Sequence, residues 1–185
     1  MSMEEKIVED KIIIPNNVSI KIENCNVIVK GELGEIKEDF SHASPIFILQ
    51  GNELIIKIRG KGKRAKALLG TITSLIKNMI IGVSKGYTYK LKVVSSHFPV
   101  SVKVSGNMVL IENFLGEKYV RKAKIVGENT KVIPKGEDII VTGINKYEVS
   151  QTAANIEKAV RIKKKDPRKF LDGIYVYEKQ VGILK

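Results

Sequence analysis

The stretch VSIKIENCNVIVKGELGE, from Val18 to Glu35, is matched without a gap by VSVKVSGNMVLIENFLGE, from Val100 to Glu117. Several residues are identical in the two stretches, and valines in the second stand where the first has Ile20 and Ile22. A repeat with a period of about 80 residues is too long for a solenoid and suits two small domains in tandem. The chain therefore carries an internal duplication.

Later segments extend this duplication with a small change in offset. The segment NELIIKI, from Asn52, matches GEDIIVT, from Gly136. The segment GYTYK, from Gly86, matches GIYVY, from Gly173. Because the matches follow the same order in both halves, we expect each half to repeat one complete structural unit.

The repeat also predicts where the domains meet. The direct step from KLKVV to SHFPVSV leaves only a short linker near Ser95. We expect a first domain over residues 1–94 and a second over residues 95–185, each with its own core. A fragment that begins at His97 is therefore predicted to fold alone.

Alternating residues predict the strands of each copy. Apolar Val18, Ile20 and Ile22 alternate with polar residues, which is typical of a half-buried strand. The segments PIFILQ and NELIIKI are predicted to form two further strands joined by a turn at Gly51-Asn52. Their equivalents in the second copy are VRKAKIVG and EDIIVTG.

One helix is predicted in each copy. In AKALLGTITSLIKNMI the apolar residues recur every three or four positions, as on the buried face of a helix. The second helix is predicted to begin at Ser150 as the N-cap and to carry Ile156 and Val160 inward. The fold class is therefore α+β, with two tandem copies of a small antiparallel sheet and one helix packed on a face of each.

The formal charge of +12 over 185 residues favours a polyanionic partner, because folding does not require such an excess. The first domain has an acidic N-terminal part, so the rest of the chain is still more basic. MSMEEKIVED lacks the apolar segment of a secretory signal, and no run approaches the ~20 apolar residues that cross a bilayer. A cytoplasmic protein without a membrane partner is expected.

Groups suited to catalysis or metal binding are sparse. His42 and His97 have no neighbour suited to a catalytic triad or a metal site. Cys25 is the only cysteine, and it lies in the apolar, strand-like run CNVIV, which favours packing over reactivity. We therefore predict no catalytic residue, no metal ligand, no cofactor and no disulfide within the chain.

The first basic segment is RGKGKRAKALLG, which begins at Arg59 and leads into the first helix. Its glycines do not have the spacing of a nucleotide-binding P-loop, and the closing Gly-Lys-Ser/Thr is absent. Two interpretations remain: phosphate contact at a helix N-terminus, or a solvated loop. Cations at a helix N-terminus interact unfavourably with the helix dipole, and a bound anion would compensate for this repulsion. The cations concerned are Arg59, Lys61, Lys63, Arg64 and Lys66.

The second basic segment, KKKDPRKFLDGIYVYEK, runs from Lys163 to Lys179. The helix is predicted to end before Pro167, because a residue that precedes proline avoids helical geometry. Asp166 is suited to cap a short turn that would hold Lys165, Arg168 and Lys169 in place, with Phe170 anchored beneath. A turn at Asp172-Gly173 would then lead into a final strand.

Three runs in order, NMIIGVSKGYTYKLKVVSSHFPV, NFLGEKYVRK and RKFLDGIYVYEK, closely resemble the family of the sixth protein of the large ribosomal subunit, in its archaeal and eukaryotic branch. The likeness covers essentially the whole chain. It implies no catalysis and direct binding to large-subunit rRNA at the base of the factor-binding stalk, near the sarcin–ricin loop. Neighbouring stalk-base proteins, and translation factors during factor binding, are the further partners that it implies.

The resemblance also implies which residues face rRNA. Carried over by motif, they are Lys163, Lys164, Lys165, Arg168, Lys169 and Lys179. The segment from Arg59 to Lys66 is assigned by charge alone. Phe170 and Tyr175 are interpreted as core, and no exposed aromatic platform is expected, because the tyrosines lie in strand patterns.

The leading hypothesis is a structural rRNA-binding protein of the large ribosomal subunit, with the second domain as the main rRNA-binding domain. The alternative is a free regulatory or chaperone-like RNA-binding module, and an enzyme is the third possibility. A ribosomal component would stay bound to salt-washed large subunits, which a free module would not.

Overall fold

The structure is a computed structural model that describes residues 7–96, 98–163, 165–166 and 168–183. The chain divides into two compact units, the first ending at Ser84 and the second beginning at Lys85. No cis peptide bond occurs in the described ranges. Each unit contains two small antiparallel sheets and one long helix, so the predicted α+β class is confirmed, with two sheets in each unit instead of one.

The described part of the first unit has six strands followed by one α-helix. Its two three-stranded sheets have the orders β1-β6-β5 and β2-β3-β4. The turn at Gly51-Asn52 joins β5 to β6, as predicted. The elements are β1 (Ile7–Ile13), β2 (Ser19–Glu23), β3 (Asn26–Gly31), β4 (Gly34–Asp39), β5 (Ile46–Gln50), β6 (Glu53–Arg59) and α1 (Lys63–Ser84).

Helix α1 forms the centre of the first unit's core. Its buried stripe includes Ile72 and Ile76, and the helix packs against β3 and β6, in which Val29 and Ile56 are also buried. A Cβ atom on Gly31 would lie 2.7 Å from the Val83 carbonyl oxygen, so the close contact of strand and helix requires glycine there. Helix α1 is long and apolar enough to cross a membrane by length and composition, but nine of its residues are buried inside the unit.

In the second unit, the described residues form seven strands and one α-helix. Its four-stranded sheet has the order β11-β12-β7-β13, and its three-stranded sheet has the order β10-β9-β8. The elements are β7 (Tyr87–Val94), β8 (Ser101–Ser105), β9 (Met108–Glu112), β10 (Arg121–Lys124), β11 (Lys131–Lys135), β12 (Asp138–Gly143), α2 (Lys146–Ala159) and β13 (Gly173–Val181).

The units divide at Ser84/Lys85 and not at the predicted boundary between residues 94 and 95. The reason is strand β7, which was expected to close the first copy. It pairs instead with β12 on one side and β13 on the other, inside the sheet of the second unit. By position, β7 beside β12 is the equivalent of β1 beside β6. Each unit therefore opens with this strand, and β13 is an addition to the second.

Two further predictions about the second copy are wrong. Strand β10, in the segment VRKAKIVG, pairs with β9, so the true equivalent of β5 is β11, which pairs with β12. Helix α2 begins at Lys146 with Asn145 as N-cap, whose side chain accepts a hydrogen bond from the Tyr147 amide at 3.0 Å. Ser150 lies inside the helix, where its hydroxyl donates to the Tyr147 carbonyl oxygen.

Candidate nucleic-acid interface

A tight turn shapes the basic segment that follows α2. The Asp166 carboxylate accepts a hydrogen bond from the Arg168 amide at 3.0 Å, and the Asp166 carbonyl oxygen accepts from the amides of Lys169 and Phe170 at 3.1 and 3.0 Å. The predicted cap is thus confirmed, and α2 ends well before it, at Ala159. Lys164 and Pro167, which were part of the predictions, lie outside the described residues.

The cations of this segment are exposed and partly held in place. Lys163, Lys165, Arg168 and Lys169 are all exposed to solvent. The Lys165 ammonium lies 4.4 Å from the centre of the half-buried Phe170 ring. A cation over an aromatic face is attracted by the ring quadrupole, so Phe170 restricts where Lys165 can present its charge.

Asp172 fastens the end of the segment to the second unit. Asp172 is only 3% exposed, and its carboxylate accepts a hydrogen bond from the Ser96 amide at 2.7 Å. Ser96 belongs to the connection between β7 and β8, so this bond joins parts of the chain that are distant in sequence. Strand β13 begins directly afterwards, at Gly173. The basic segment is therefore fixed by the Asp166 turn and by the Asp172 carboxylate.

The basic segment borders a depression of about 570 Å³ that the sequence patterns did not reveal. Among the described residues, six cations and one carboxylate, that of Glu117, line it. We call it the basic depression; its cations are Arg121, Lys122, Lys158, Arg161, Lys163 and Lys165, and Leu115, Tyr119, Ala159 and Ile162 complete it. In the sequence, the available signal for this site was the run NFLGEKYVRK. This run supplies one side of the basic depression, because β10 lies against α2.

Arg121 is the structural member of the basic depression. Its guanidinium donates two hydrogen bonds to the Glu117 carboxylate, at 2.8 and 2.6 Å, and a third to the Ala159 carbonyl oxygen at 3.0 Å. The guanidinium carbon lies 4.6 Å from the centre of the buried Phe114 ring. Because Ala159 is the last residue of α2, Arg121 satisfies a terminal carbonyl and complements the negative end of the helix.

The hydrogen bonds from Arg121 also neutralise the negative charge of Glu117 within the protein. The hydrogen bonds from Arg121 lower the pKa of this carboxyl below its ordinary value, and the charge of Lys165 adds to the effect. Glu117 is therefore ionised at neutral pH but already bonded within the protein. The other five cations leave the basic depression strongly positive, as a site for an anionic ligand requires.

An exposed tyrosine contradicts the expectation that no aromatic platform exists. Tyr119 lines the basic depression and is 72% exposed. Tyr175, interpreted as core, is also 45% exposed, so that interpretation is wrong. Its hydroxyl donates to the Leu171 carbonyl oxygen at 3.2 Å, which holds the ring over the chain that precedes β13. Tyr119 is thus an aromatic side chain available for stacking beside a cluster of cations.

Lys179 does not join the other predicted residues. It lies six positions along β13 from Gly173, which at the rise of a strand is about 20 Å. Its ammonium lies 5.6 Å from the centre of the Tyr89 ring. Lys179 therefore forms a separate positive point on the second unit.

The cations assigned by charge alone lie in the first unit, at the start of α1. All are exposed, and the first turn of the helix contains no acidic residue. The carbonyl oxygen of Gly62 accepts a hydrogen bond from the Lys66 amide at 3.3 Å. Gly62 has a φ of +82°, so the helix begins directly after a residue with left-handed backbone. These exposed cations are Arg59, Lys61, Lys63, Arg64 and Lys66.

No group of three or more His, Cys, Asp or Glu side chains that could hold a metal ion occurs in the part of the chain that the structure describes. Cys25 is half-buried at the turn between β2 and β3, as expected for a packing residue. His97 lies outside the described residues, and His42 is exposed in a short turn after β4.

Comparison with known proteins agrees with the resemblance seen in the sequence. The family described as ribosomal protein L6 matches residues 14–86 and 98–173. A protein of Staphylothermus marinus named large ribosomal subunit protein uL6 is 52% identical over 172 residues, covering 91% of this chain and 93% of that protein. Proteins of the same name from Aeropyrum pernix and Saccharolobus solfataricus are 47% and 48% identical, over 94% and 97% of this chain and 96% and 99% of their own lengths.

Proposed function

Because this chain belongs to the ribosomal protein L6 family, whose members are non-enzymatic structural constituents of the large subunit of the cytoplasmic ribosome, we propose that its second unit anchors it directly on large-subunit rRNA. The anchor consists of the basic depression together with the basic segment beside it. We place the contact at the base of the factor-binding stalk, near the sarcin–ricin loop. There the chain would adjoin stalk-base proteins and translation factors during factor binding.

The basic depression is the observation that supports this proposal most strongly. Cations from β10, the end of α2 and the following segment converge there, although they are spread over more than forty positions of the sequence. The only carboxylate that lines it, within the described residues, is bonded to Arg121. The remaining ammonium and guanidinium groups are free to neutralise phosphates and to release condensed counterions.

The shape of the site favours folded RNA with an accessible base. Folded RNA is recognised mainly by its backbone shape and by unpaired bases that stack on aromatic side chains. The basic depression offers both kinds of contact, because Tyr119 stands exposed among the cations. Stacking of one base is worth about 1–3 kcal/mol. We propose that phosphates occupy the basic depression while one unpaired base stacks on Tyr119.

A salt titration tests the phosphate contacts. Changing Lys165, Arg168 and Lys169 together to alanine is expected to flatten the slope of log K against log salt by roughly 2 to 3 units, since each lost contact removes about 0.7–0.9. Binding of the purified chain to large-subunit rRNA fragments is measured between low and high salt. An unchanged slope would remove these residues from the interface.

The matched control alters three lysines that are already paired within the protein. Lys21 contacts Glu23 at 2.7 Å, Lys92 contacts Glu137 at 3.1 Å and Lys103 contacts Glu112 at 2.7 Å. Their replacement by alanine lowers the net charge by the same amount, but we expect the slope to change by less than about one unit. Equal flattening in both triple variants would mean that net charge alone governs binding.

We propose the loop before α1 as a second phosphate contact and Lys179 as a third. The exposed cations at the start of α1, with no acidic residue in the first turn, support the former. Lys179 is supported by its exposure and by its place in the motif that it shares with the family. The same titration distinguishes these contacts, because each cation that contacts a phosphate contributes separately to the slope.

Directed cleavage of rRNA tests the place of contact. With Cys25 changed to serine, Lys169→Cys provides a single exposed thiol to which an iron chelate can be attached. In assembled large subunits, hydroxyl radicals from this position are expected to cut the sarcin–ricin loop and the base of the stalk. Cleavage confined to other regions of the rRNA would place the protein elsewhere.

The control for this experiment is Glu38→Cys in the same background. Glu38 is an exposed carboxylate of β4, in the acidic part of the first unit. We expect carboxylates to lie away from RNA, because phosphates repel them. Radicals from residue 38 should therefore leave the cleavage sites of residue 169 intact.

A further inference from the structure

Among the described residues, the second unit has a strand for which the first unit has no equivalent. In the second unit, β7 lies between β12 and β13. Its equivalent in the first unit, β1, pairs with β6 on one side, and none of the described strands pairs with its other side. The strand that follows α1 is β7, which belongs to the second unit's sheet. The duplication therefore leaves open, along β1, an edge that is filled in the second copy.

The backbone of β1 shows which groups this edge presents. The Ile14 amide donates to the Asn52 carbonyl oxygen at 2.8 Å, so even-numbered residues of this stretch face β6. The Lys11 amide instead donates to the side chain of Asp10, at 2.9 Å. The N–H and C=O groups of Ile7, Glu9, Lys11 and Ile13 therefore point away from β6, along an edge of seven residues.

Such an edge is a template for another strand, and proteins usually cover or blunt it. The side chains of β1 show what would cover it. Ile13 is 77% exposed and Ile7 is 51% exposed, at the two ends of the strand, with Glu9 and Lys11 between them on the same face. An added antiparallel strand would match this face with apolar residues at its ends, an acid opposite Lys11 and a base opposite Glu9.

The filled edge of the second unit shows this complementarity in place. Along β7, Glu178 of β13 lies opposite Lys90 and contacts it at 2.8 Å. Tyr175 lies opposite Lys92. Strand β13 thus combines exposed aromatic residues with a charge that matches its neighbour, and it runs antiparallel to β7.

A second copy of this chain is a poor occupant of the open edge. Two antiparallel β1 strands would place Ile7 opposite Ile13 and Glu9 opposite Lys11. Both are favourable cross-strand pairs, the first apolar and the second of opposite charge. The same register places Asp10 directly opposite its copy, and like charges opposite one another destabilise a sheet. A foreign strand can carry a basic or amide side chain at that position. Asp10 therefore disfavours self-pairing and favours a different polypeptide.

We propose that the outer edge of β1 receives an antiparallel β-strand from another protein of the large ribosomal subunit. The expected segment reads, from its N-terminus, apolar, any residue, acidic, basic or amide, basic, any residue, apolar. Its backbone takes over the Lys11 amide from the Asp10 side chain, and its apolar ends cover Ile13 and Ile7. The proposal depends on incorporation into the subunit and not on the rRNA contacts of the second unit.

Photocrosslinking inside assembled large subunits tests the proposal. The photoreactive residue p-benzoylphenylalanine replaces Ile7 in one variant and Ile13 in another. Both are expected to crosslink to one segment of one ribosomal protein. Because the added strand is antiparallel, the site reached from position 13 should precede the site reached from position 7 by about six residues.

Leu49 of β5 is the matched control, being 48% exposed at the opposite edge of the same sheet. Strand β11 is the equivalent of β5 in the second unit, and among the described strands its outer edge is also unpaired. The duplication therefore predicts no partner strand along β5. Crosslinks from positions 7 and 13 to rRNA, to unrelated segments, or at no more than the yield from position 49 would each overturn the proposal. Variants that fail to enter subunits are excluded beforehand by sedimentation.

Amide exchange provides a readout without substitution. The amides of Glu9 and Lys11 are expected to exchange at least about tenfold more slowly in the subunit than in the free chain, because only there are they bonded to a strand. The Ile12 amide, which faces β6 in both states, serves as the internal reference. Equal exchange of Glu9 and Lys11 in the two states would also overturn the proposal.

Discussion

Contrary to the prediction from the repeat, a fragment that begins at residue 97 is expected to remain unfolded, whereas one that begins at Lys85 is expected to fold. The reason is that β7 is an inner strand of the second unit's sheet, paired on both sides. It buries Tyr87, Tyr89, Leu91 and Val93 in that unit. At about 1.5–3 kcal/mol for each buried side chain, its loss costs roughly 6–12 kcal/mol, which equals the whole stability of a typical domain.

Circular dichroism and urea denaturation of purified fragments 85–185 and 97–185 measure the difference. The longer fragment also keeps the hydrogen bonds from the Gly182 and Ile183 amides to the carbonyl oxygens of Gly86 and Lys85. As a control, fragments 1–84 and 1–94 should unfold with the same midpoint, since β7 adds no strand to the first unit. A cooperative transition in fragment 97–185 would show that the second unit does not need β7.

Replacing Arg121 with alanine is expected to destabilise the second unit by about 2–4 kcal/mol. The change removes three hydrogen bonds to charged or helix-terminal groups and leaves Glu117 and the Ala159 carbonyl oxygen without this partner. A charged hydrogen bond is worth roughly 1.5–3 kcal/mol, and the loss at Glu117 is reduced because its side chain is 38% exposed and the freed carboxylate regains water. Urea denaturation of the whole chain, followed by circular dichroism, measures the loss.

Two variants separate this role from simple charge. Lys122→Ala removes an exposed neighbouring cation and should change stability by no more than about 0.5 kcal/mol. Arg121→Lys keeps the charge but cannot reproduce the two-pronged contact with Glu117, so an intermediate loss is expected. Equal stability of all three variants would show that Arg121 is only a surface cation.

The same pair predicts a dependence on pH. Arg121 lowers the folded pKa of Glu117 below its ordinary value of 4.5. The stabilisation of the folded state by the Arg121–Glu117 pair is therefore complete above pH 4.5. It disappears as the pH falls through the lowered pKa of Glu117 in the folded state. Acidification should thus destabilise the unaltered chain more than Arg121→Ala, and the difference between them should shrink. Parallel curves for the two proteins would contradict this linkage.

The duplication, the strands around Gly51-Asn52 and the first helix were predictable because their signals are local. Alternation and helical spacing depend on neighbouring residues, and both copies supply them. The pairing of β7 was not predictable in this way, because its alternating residues suit the end of one unit as well as the start of the next. Only its long-range partners, β12 and β13, decide between the two.

The second helix shows a local signal that was misread. Asn145, followed by Glu148 three positions later, is a pattern typical of a helix start, and the Asn145 side chain does cap the helix. Ser150 attracted the prediction because serine is equally favoured as an N-cap. Inside the helix, however, its hydroxyl can bond to a preceding carbonyl oxygen, as it does here.

Part of the candidate interface was visible in the sequence, because the cations near Asp166 are neighbours along the chain. The basic depression was not, since Tyr119 and Lys122 meet Lys158 and Arg161 only after β10 packs against α2. Tyr175 was misassigned for a different reason. The side chains of β13 alternate regularly from Tyr175 onward, but Ile174, Tyr175 and Val176 are all apolar or aromatic, so this run does not show which face is exposed.

Strand β13 follows all other described elements of the second unit in sequence, and this sets an order of events during synthesis. Domains fold as units, the N-terminal one first. The first unit ends at Ser84, so it can fold while the second unit is still to be made. The second unit cannot close its sheet until β13, which extends to Val181, has been released. The sheet that the basic segment leads into is therefore completed last, and a chain cut short before Gly173 would carry the cations beside an incomplete sheet.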